Sequence, residues 1–200
     1  VFTLAALAFA FYLTFHRWSI IEPTKPFVGL TNYRDMMHDE RFAQSVVNTV
    51  YFTGASVPIT MAIGLGLAVL LNLPIRMRGV FRTAYYLPVV TSIVAIAVIW
   101  RYVLEPDVGL VNTLLRQVGI DGPSWLGNPN TTMPSIIAVG VWRSVGFSMV
   151  IFLAGLRQIP TMYHEAASMD GAGRWHRFVH ITLPLLSPII FFNLVLQIIN

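Results

Sequence analysis

The feature that most constrains the fold is an uncharged apolar run in the first half of the chain. No Asp, Glu, Lys or Arg occurs between Arg41 and Arg76, and the stretch 46–73 within this run is predominantly apolar. A helix needs about 20 such residues to cross the hydrocarbon core of a bilayer. The run therefore predicts a membrane-spanning helix, kinked at Pro58 because proline removes a backbone donor.

Composition extends this interpretation to the whole chain. Apolar residues form 56% and charged residues 11% of the 200 residues, whereas a soluble domain carries about 25% charged residues. Four further apolar runs predict the end of a first span, a third and a fourth span, and the start of a fifth, at 1–15, 83–100, 134–156 and 184–200. The predicted fold class is an all-α, polytopic transmembrane helical bundle. Val1 in place of methionine, and an apolar run that continues to Asn200, indicate a piece of a longer chain.

The distribution of positive charge predicts how the chain is oriented. A net charge of +4 could indicate nucleic-acid binding, but the bases lie in short loops between apolar runs, which is typical of a membrane protein. The segment 74–82 carries Arg76, Arg78 and Arg82 and no acid, and the segment 157–183 carries Arg157, Arg174 and Arg177; both are predicted to be cytoplasmic. The segments 17–45 and 101–133 balance their bases with acids and are predicted to lie outside. The chain contains no cysteine, which excludes disulfides and thiolate chemistry.

The segment 158–184, between the fourth and fifth predicted spans, reads as two short helices joined by a turn. Thr161 is predicted to cap the first helix, Glu165 to favour its positive end, and Gly171 and Gly173 to end it. Aromatic and aliphatic residues then recur at three-residue spacing from Trp175 to Ile181, which predicts an amphipathic stretch along the membrane interface. Pro184 is predicted to open the next span. Such an exposed helix is suited to entering a groove on a partner.

Seven residues in this segment resemble a known pattern. The EAA loop of ABC-importer permeases has E-A-A, three residues, G, nine residues and I-x-L-P, and the matching positions are Glu165, Ala166, Ala167, Gly171, Ile181, Leu183 and Pro184. Weaker matches resemble the carbohydrate-uptake branch of this family: Asp170–Ala172, Pro188, Phe27–Tyr33, Asn48–Thr49 and Gly109–Asn112. The Phe27–Tyr33 stretch resembles the subunit type that pairs with a second, different sugar permease.

The resemblance implies a permease subunit of about six spans in a bacterial or archaeal plasma membrane. Its implied partners are a second permease, two ATP-binding-cassette ATPase subunits, an extracytoplasmic solute-binding protein and the lipid bilayer. ATP and Mg²⁺ would bind to the ATPases; the resemblance implies no cofactor and no enzymatic activity for this chain. Residues 1–43 would hold the end of the first span and an outer loop, and 44–200 the type-1 transmembrane domain. The ATPase-coupling residues would be Glu165, Ala166, Ala167, Asp170 and Gly171.

The cargo stays open between a carbohydrate and another solute of the same machine, such as glycerol phosphate. An intramembrane charge at Arg143 suggests a substrate contact with hydroxyls or a phosphate, although snorkelling towards the outer interface is slightly favoured. Trp100 and Tyr86 are candidates to line the substrate path, or else belong to an interfacial aromatic belt. A polytopic membrane enzyme is a third reading, disfavoured because the spans offer almost no acid or base besides Arg143.

A metal site is disfavoured as well. His176 and His180 lie four residues apart and could share a helix face, but no third ligand is evident nearby. The acids of the outer loops, at 39–40 and 105–107, are better explained as solvated charge than as catalytic pairs.

Overall fold

The computed structural model describes residues 2–18, 21, 24–74 and 76–199, and divides the chain into two compact units, 1–51 and 52–200. The described residues form ten α-helices and one π-helical turn. His16 and Phe27 form an isolated antiparallel β-bridge. The all-α fold class is confirmed. The family-domain boundary predicted at 43/44 stays a prediction, because compactness alone does not define it.

The first unit contains a short apolar helix, α1 (Phe2–Leu13), and a polar helix, α2 (Thr31–His38). The Asn32 side chain donates to the Thr14 and His16 carbonyls at 2.8 and 3.1 Å, so it ties α2 to the end of α1. The Tyr33 hydroxyl donates to the Thr14 hydroxyl at 2.8 Å. The predicted outer segment 17–45 therefore contains a short helix that is tied to the end of α1.

Three helices of the described chain are long and apolar enough to cross a membrane. They are α3 (Glu40–Asn72), α7 (Pro129–Leu156) and a continuous helix from Arg174 to Ile199. The second, fourth and fifth predicted spans are thus confirmed as helices. α3 and α7 each begin five or six residues before the predicted start, because polar residues continue the helix beyond the apolar run.

The prediction of one straight span over 83–100 is wrong. The chain forms α4 (Arg78–Val90) and α5 (Ile93–Val103), which are bent relative to each other by 99°. Thr91 and Ser92 are extended at the break, and the Thr91 hydroxyl donates to the Leu87 carbonyl at 2.8 Å. Pro88 lies in the last turn of α4, where its missing N–H and its ring weaken continuation of the helix. Hydropathy does not distinguish one straight span from two helices joined by a bend, because both have the same apolar composition.

The last span also differs from expectation, because the predicted interfacial helix is not separate from it. A single turn, α9 (Arg174–Arg177), runs through a π turn (Phe178–Thr182) into α10 (Leu183–Ile199). Within the π turn the Leu183 N–H donates to the Phe178 carbonyl, five residues back. The wider turn lies directly before Pro184, which has no N–H to give to an ordinary helical bond.

The core of the second unit lies where α3, α7 and α10 meet. Its buried side chains are Ala68, Leu71, Met149, Phe152, Leu153, Leu156 and Leu186. Gly64 allows α3 and α7 to approach, since a Cβ at this position would lie 2.7 Å from the Ser148 Cβ. Gly66, by contrast, faces open space. The packing holds α7 against the helices that flank the two candidate sites below.

Candidate functional site

The first candidate site is α8 (Thr161–Met169), a short helix with no buried residue. Glu165 and Ala166 are exposed on it and Ala167 is half-buried. The predicted cap by Thr161 is wrong: Pro160 occupies the N-cap position and no side chain caps the helix. Glu165 consequently lies beyond the first turn, so its carboxylate is free for a partner rather than used at the helix end. The small side chains leave a helix surface that another protein can approach closely.

A Schellman turn ends α8 at Gly171. The Ala172 N–H donates to the Ala167 carbonyl at 2.8 Å and the Gly171 N–H to the Ser168 carbonyl at 3.2 Å, which is the bonding pattern of this turn. Gly171 has a φ of +79°, so a side chain there would be strained. Gly173 has a φ of −65° and precedes α9, and its predicted role in a left-handed turn is therefore wrong.

A hydrogen bond joins α8 to the last span. The Arg177 guanidinium donates to the His164 carbonyl at 3.2 Å. Since Arg177 belongs to the continuous helix Arg174–Ile199, displacement of α8 is linked directly to that helix. Around this joint, Met162, Met169 and Trp175 are 65%, 89% and 75% exposed. Together these residues form an exposed apolar surface on and beside α8.

The second candidate site is a cavity of about 560 Å³ within the second unit. Its size falls inside the range of about 300–1,000 Å³ that small-molecule pockets occupy. Most of its wall is apolar, and the polar side chains in it are Ser56, Thr60, Arg101, Ser135, Arg143, Ser144 and Gln197. Trp100 supplies an aromatic wall and contacts Trp142 edge to face, with ring centroids 5.5 Å apart.

Arg143 lies near the middle of α7, with its side chain on this cavity. Its snorkelling towards the outer interface stays a prediction, since α7 begins at Pro129 and Arg143 lies about half-way along the helix. Its Nε is buried and has no hydrogen-bond partner among the described residues. A buried guanidinium nitrogen without an acceptor is costly, so this position is suited to a ligand that supplies acceptor oxygens.

Tyr86 is not brought together with Arg143 and Trp100. It lies instead in a separate groove beside Arg82 on α4. The separation arises because α4 is held against α7 at Gly146, where an added Cβ would collide with the Tyr85 carbonyl. This contact fixes how α4 is rotated about its own axis.

Sequence reasoning missed a polar network at the junction of α7 and α10. The side-chain amides of Asn193 and Gln197 both donate to the Ser148 hydroxyl, at 2.8 and 3.0 Å. Asn193 is fully buried with its Oδ1 unpaired, while Gln197 reaches the cavity. Two amides four residues apart in an otherwise apolar run were the available signal, because polar groups in spans pair with other helices or with a ligand.

The histidine pair has a local explanation. The His176 and His180 rings stack with centroids 4.0 Å apart, and His180 Nδ1 lies 3.0 Å from the His176 carbonyl oxygen. Within the described ranges, no group of three or more His, Cys, Asp or Glu side chains is placed to hold a metal ion.

Spanning helices, a mostly apolar cavity with a few polar side chains, and an exposed helix hydrogen-bonded to the last span are the features of a polytopic helical membrane protein of the transporter class. The chain belongs to the family of binding-protein-dependent transport system inner membrane components, which it matches over residues 38–200. Members of this family are ABC-transporter permeases, as the names of its relatives state.

Curated relatives resemble the chain over its full length. It is 42% identical to a probable ABC transporter permease, YesP of Bacillus subtilis (strain 168), over 100% of this chain and 64% of the relative. It is 35% identical to the trehalose/maltose transport system permease MalF of Thermococcus litoralis, over 100% of this chain and 68% of the relative. The chain therefore spans about two thirds of the length of the curated relatives that it matches.

Solved structures resemble the fold. A bacterial ABC transporter that imports the acidic polysaccharide alginate matches with a TM-score of 0.83 and 28% identity, over 97% of this chain and 66% of that chain. An alginate transporter in complex with an alginate pentasaccharide-bound periplasmic protein matches with a TM-score of 0.78 and 30% identity, over 84% of this chain and 59% of that chain.

Proposed function

We propose that the chain is the membrane-spanning part of an ABC importer subunit that moves a carbohydrate across a bacterial or archaeal plasma membrane. The carrying observation is α8, an exposed helix with small side chains that is closed by a Schellman turn and hydrogen-bonded to the last span. A solute-binding protein delivers the cargo from outside, a second permease completes the pathway, and two ATPase subunits bind from the cytoplasm.

In this proposal α8 enters a cleft on one ATPase. Ala166 and Ala167 permit close approach, Glu165 makes a polar contact in or beside the cleft, and Asp170 with Gly171 shapes the end of the helix. ATP-driven closure of the two ATPases moves α8, and the bond from Arg177 to the His164 carbonyl passes the movement into the helix Arg174–Ile199. The cavity beside α7 then changes its access from one side of the membrane to the other, while ATP hydrolysis remains in the partner subunits.

Substitution of Gly171 tests the coupling role. Gly171→Val in the complete reconstituted transporter is expected to abolish solute-stimulated ATP hydrolysis, because a left-handed backbone costs a side-chain-bearing residue about 1–2 kcal/mol and the end of α8 must rearrange. Glu165→Gln is expected to reduce the stimulation while leaving the assembly intact. The readout is ATPase rate with and without the loaded solute-binding protein.

Gly173→Ala is the matched control for this experiment. Gly173 has open space around it and an ordinary φ of −65°, so alanine is expected to leave coupling unchanged. Full stimulation in both Gly171→Val and Glu165→Gln would contradict the role of α8 as the coupling helix.

A carbohydrate cargo is supported by the relatives, several of which are named for sugars, and by the cavity. Trp100 offers a flat apolar face for a sugar ring, while Ser56, Thr60 and Ser144 offer hydroxyls. A second candidate is an anionic polyol such as glycerol phosphate. The observation that favours it is the unpartnered Arg143 Nε in a cavity whose described wall contains no carboxylate.

Arg143→Gln separates the two cargoes. Hydrogen bonds to charged groups contribute about 1.5–3 kcal/mol, so loss of the cation should weaken transport of an anionic solute by about tenfold or more. For a neutral carbohydrate the loss should be only a few-fold, since glutamine can still donate to a hydroxyl. Uptake into proteoliposomes at several solute concentrations provides the measurement.

Arg143→Lys controls for the charge, and should largely retain transport of the anion because it keeps the cation in the cavity. If the wild type and Arg143→Gln transport both the anionic and the neutral solute equally well, Arg143 does not belong to the substrate path.

A further inference from the structure

We propose that the groove between α4 and α7 binds one anionic phospholipid, with its phosphate at Arg82 and one acyl chain along Leu87 and Val90. The groove has a volume of about 310 Å³. α4 supplies five of its six wall residues, and α7 supplies Val150. The inference does not depend on which solute the transporter carries.

The groove is polar at one end and apolar at the other. Its α4 wall runs from Arg82, Thr83 and Tyr86 to Leu87 and Val90, over about 12 Å at 1.5 Å per residue. Leu87 and Val90 are 60% and 67% exposed, as side chains that face lipid tails are. This gradient matches a phospholipid, in which a phosphate is joined to a hydrocarbon chain. A free phosphate would leave the apolar half of the groove unfilled.

A second arginine strengthens the polar end. Arg78 lies one turn before Arg82 on α4 and therefore on the same face of the helix. Its Nε is buried and lacks a hydrogen-bond partner among the described residues. A buried guanidinium nitrogen needs an acceptor, and in this proposal the phosphate at Arg82 is shared with Arg78, which lies one turn away but outside the six wall residues of the groove.

The surrounding sequence provides no anion of its own. No Asp or Glu occurs between Arg41 and Glu105. The basic segment that contains Arg76, Arg78 and Arg82 therefore has no nearby acid along the chain. The same loop is predicted to face the cytoplasm, where the membrane leaflet carries anionic lipids. Basic pockets between spanning helices on this side bind such headgroups. Charge complementarity therefore selects an anionic lipid over a zwitterionic one.

The position of the groove gives the lipid a structural consequence. The Tyr85 carbonyl of α4 lies against Gly146 of α7, where the two helices are in close contact. Tyr86 follows Tyr85 on α4, and Val150 lies one turn beyond Gly146 on α7. A lipid in the groove would contact both helices directly beside this crossing, and so stabilise α4 on α7 next to its break at Thr91–Ser92.

Lipid-dependent thermal stability of the purified, complete transporter tests the proposal. Phosphatidylglycerol in mixed micelles is expected to raise the unfolding temperature more than phosphatidylcholine does. Arg82→Gln and Arg78→Gln should each raise the half-saturating phosphatidylglycerol concentration about fivefold, since a surface arginine contributes about 1 kcal/mol to binding of anionic lipid. Arg82 is exposed, so its substitution should not impair folding, and Arg82→Lys should retain most of the effect.

Arg76→Gln is the matched control, because Arg76 precedes α4 and, unlike Arg78, does not share a helix face with Arg82. It is expected to leave the half-saturating concentration unchanged. Sodium phosphate and the deacylated headgroup glycerophosphoglycerol are expected to give no shift. The proposal fails if phosphatidylcholine is as effective, if Arg76→Gln weakens binding as much as Arg82→Gln, or if phosphate or the deacylated headgroup alone reproduces the shift.

Discussion

Replacement of Gly146 by valine is expected to give little or no correctly folded protein. A Cβ at Gly146 would collide with the backbone carbonyl of Tyr85, and a change of rotamer cannot relieve a collision that involves the first side-chain atom and a backbone group. Overpacking of a well-packed contact costs about 1–3 kcal/mol, and occasionally more. α4 would have to move away from α7, which would alter both the solute cavity and the groove beside Arg82. Size-exclusion profile and thermal midpoint after detergent extraction measure the effect.

Gly66→Ala is the control for this substitution. Gly66 also lies within a spanning helix, but nothing lies within 4 Å of the position that its Cβ would take. Alanine favours a helix over glycine by about 1 kcal/mol, so Gly66→Ala should be neutral or stabilising. A Gly146→Val protein as stable as the wild type would show that α4 does not cross α7 at this residue.

Asn112→Asp is expected to disorganise the predicted outer loop, although it changes little more than one atom of the side chain. Asn112 lies on α6 (Leu110–Gln117) and is only 2% exposed. Its amide nitrogen lies 3.0, 3.3 and 3.2 Å from the carbonyl oxygens of Pro106, Gly122 and Pro123. Its Oδ1 accepts from the Trp125 indole at 2.6 Å. A single amide therefore organises the segment 106–125.

An aspartate cannot donate to these carbonyls unless it is protonated, and its charge would face three oxygens. The loss of a buried hydrogen-bond partner costs about 1–3 kcal/mol, and more where a charge is involved. We expect a lower thermal midpoint and faster cleavage of the segment by protease added from outside. Asn130→Asp makes the same chemical change at an exposed side chain and should have no such effect. Equal protease resistance of Asn112→Asp and the wild type would contradict the conclusion that the Asn112 amide organises the segment 106–125.

The three long spanning helices and the position of the exposed helix α8 could be predicted because they follow from hydropathy and from turn chemistry. Lipid exposure requires long uncharged runs, so α3, α7 and the last span are visible in the sequence. Gly171 is visible because its left-handed conformation favours glycine. The predicted second and fourth spans nevertheless begin five or six residues too late, since helices continue past the edge of an apolar run.

The bend at Thr91–Ser92 could not be predicted, because apolar composition is the same for a straight helix and for a bent pair. Tyr86 was grouped with Arg143 for the same reason: composition does not say which way a helix is rotated. The rotation of α4 depends on Gly146, which lies about 60 residues further along the chain. The cavity beside Arg143 depends likewise on residues distant in sequence, among them Ser56, Trp100 and Gln197. Hydropathy does not record such long-range contacts.

The π turn at Phe178–Thr182 has a consequence for the spacing of the loop that precedes it. An ordinary α-helix turns by about 100° per residue, so one additional residue in a turn changes the azimuth of everything on its far side by about that amount. The number of residues from Gly171 to Pro184 therefore sets the angle about the axis of the last span at which α8 projects. This angle is measured relative to the face of α10 that packs on α7. Deletion of one residue from the π turn is expected to preserve the flanking helices and to rotate α8 by about 100° about the axis of the last span.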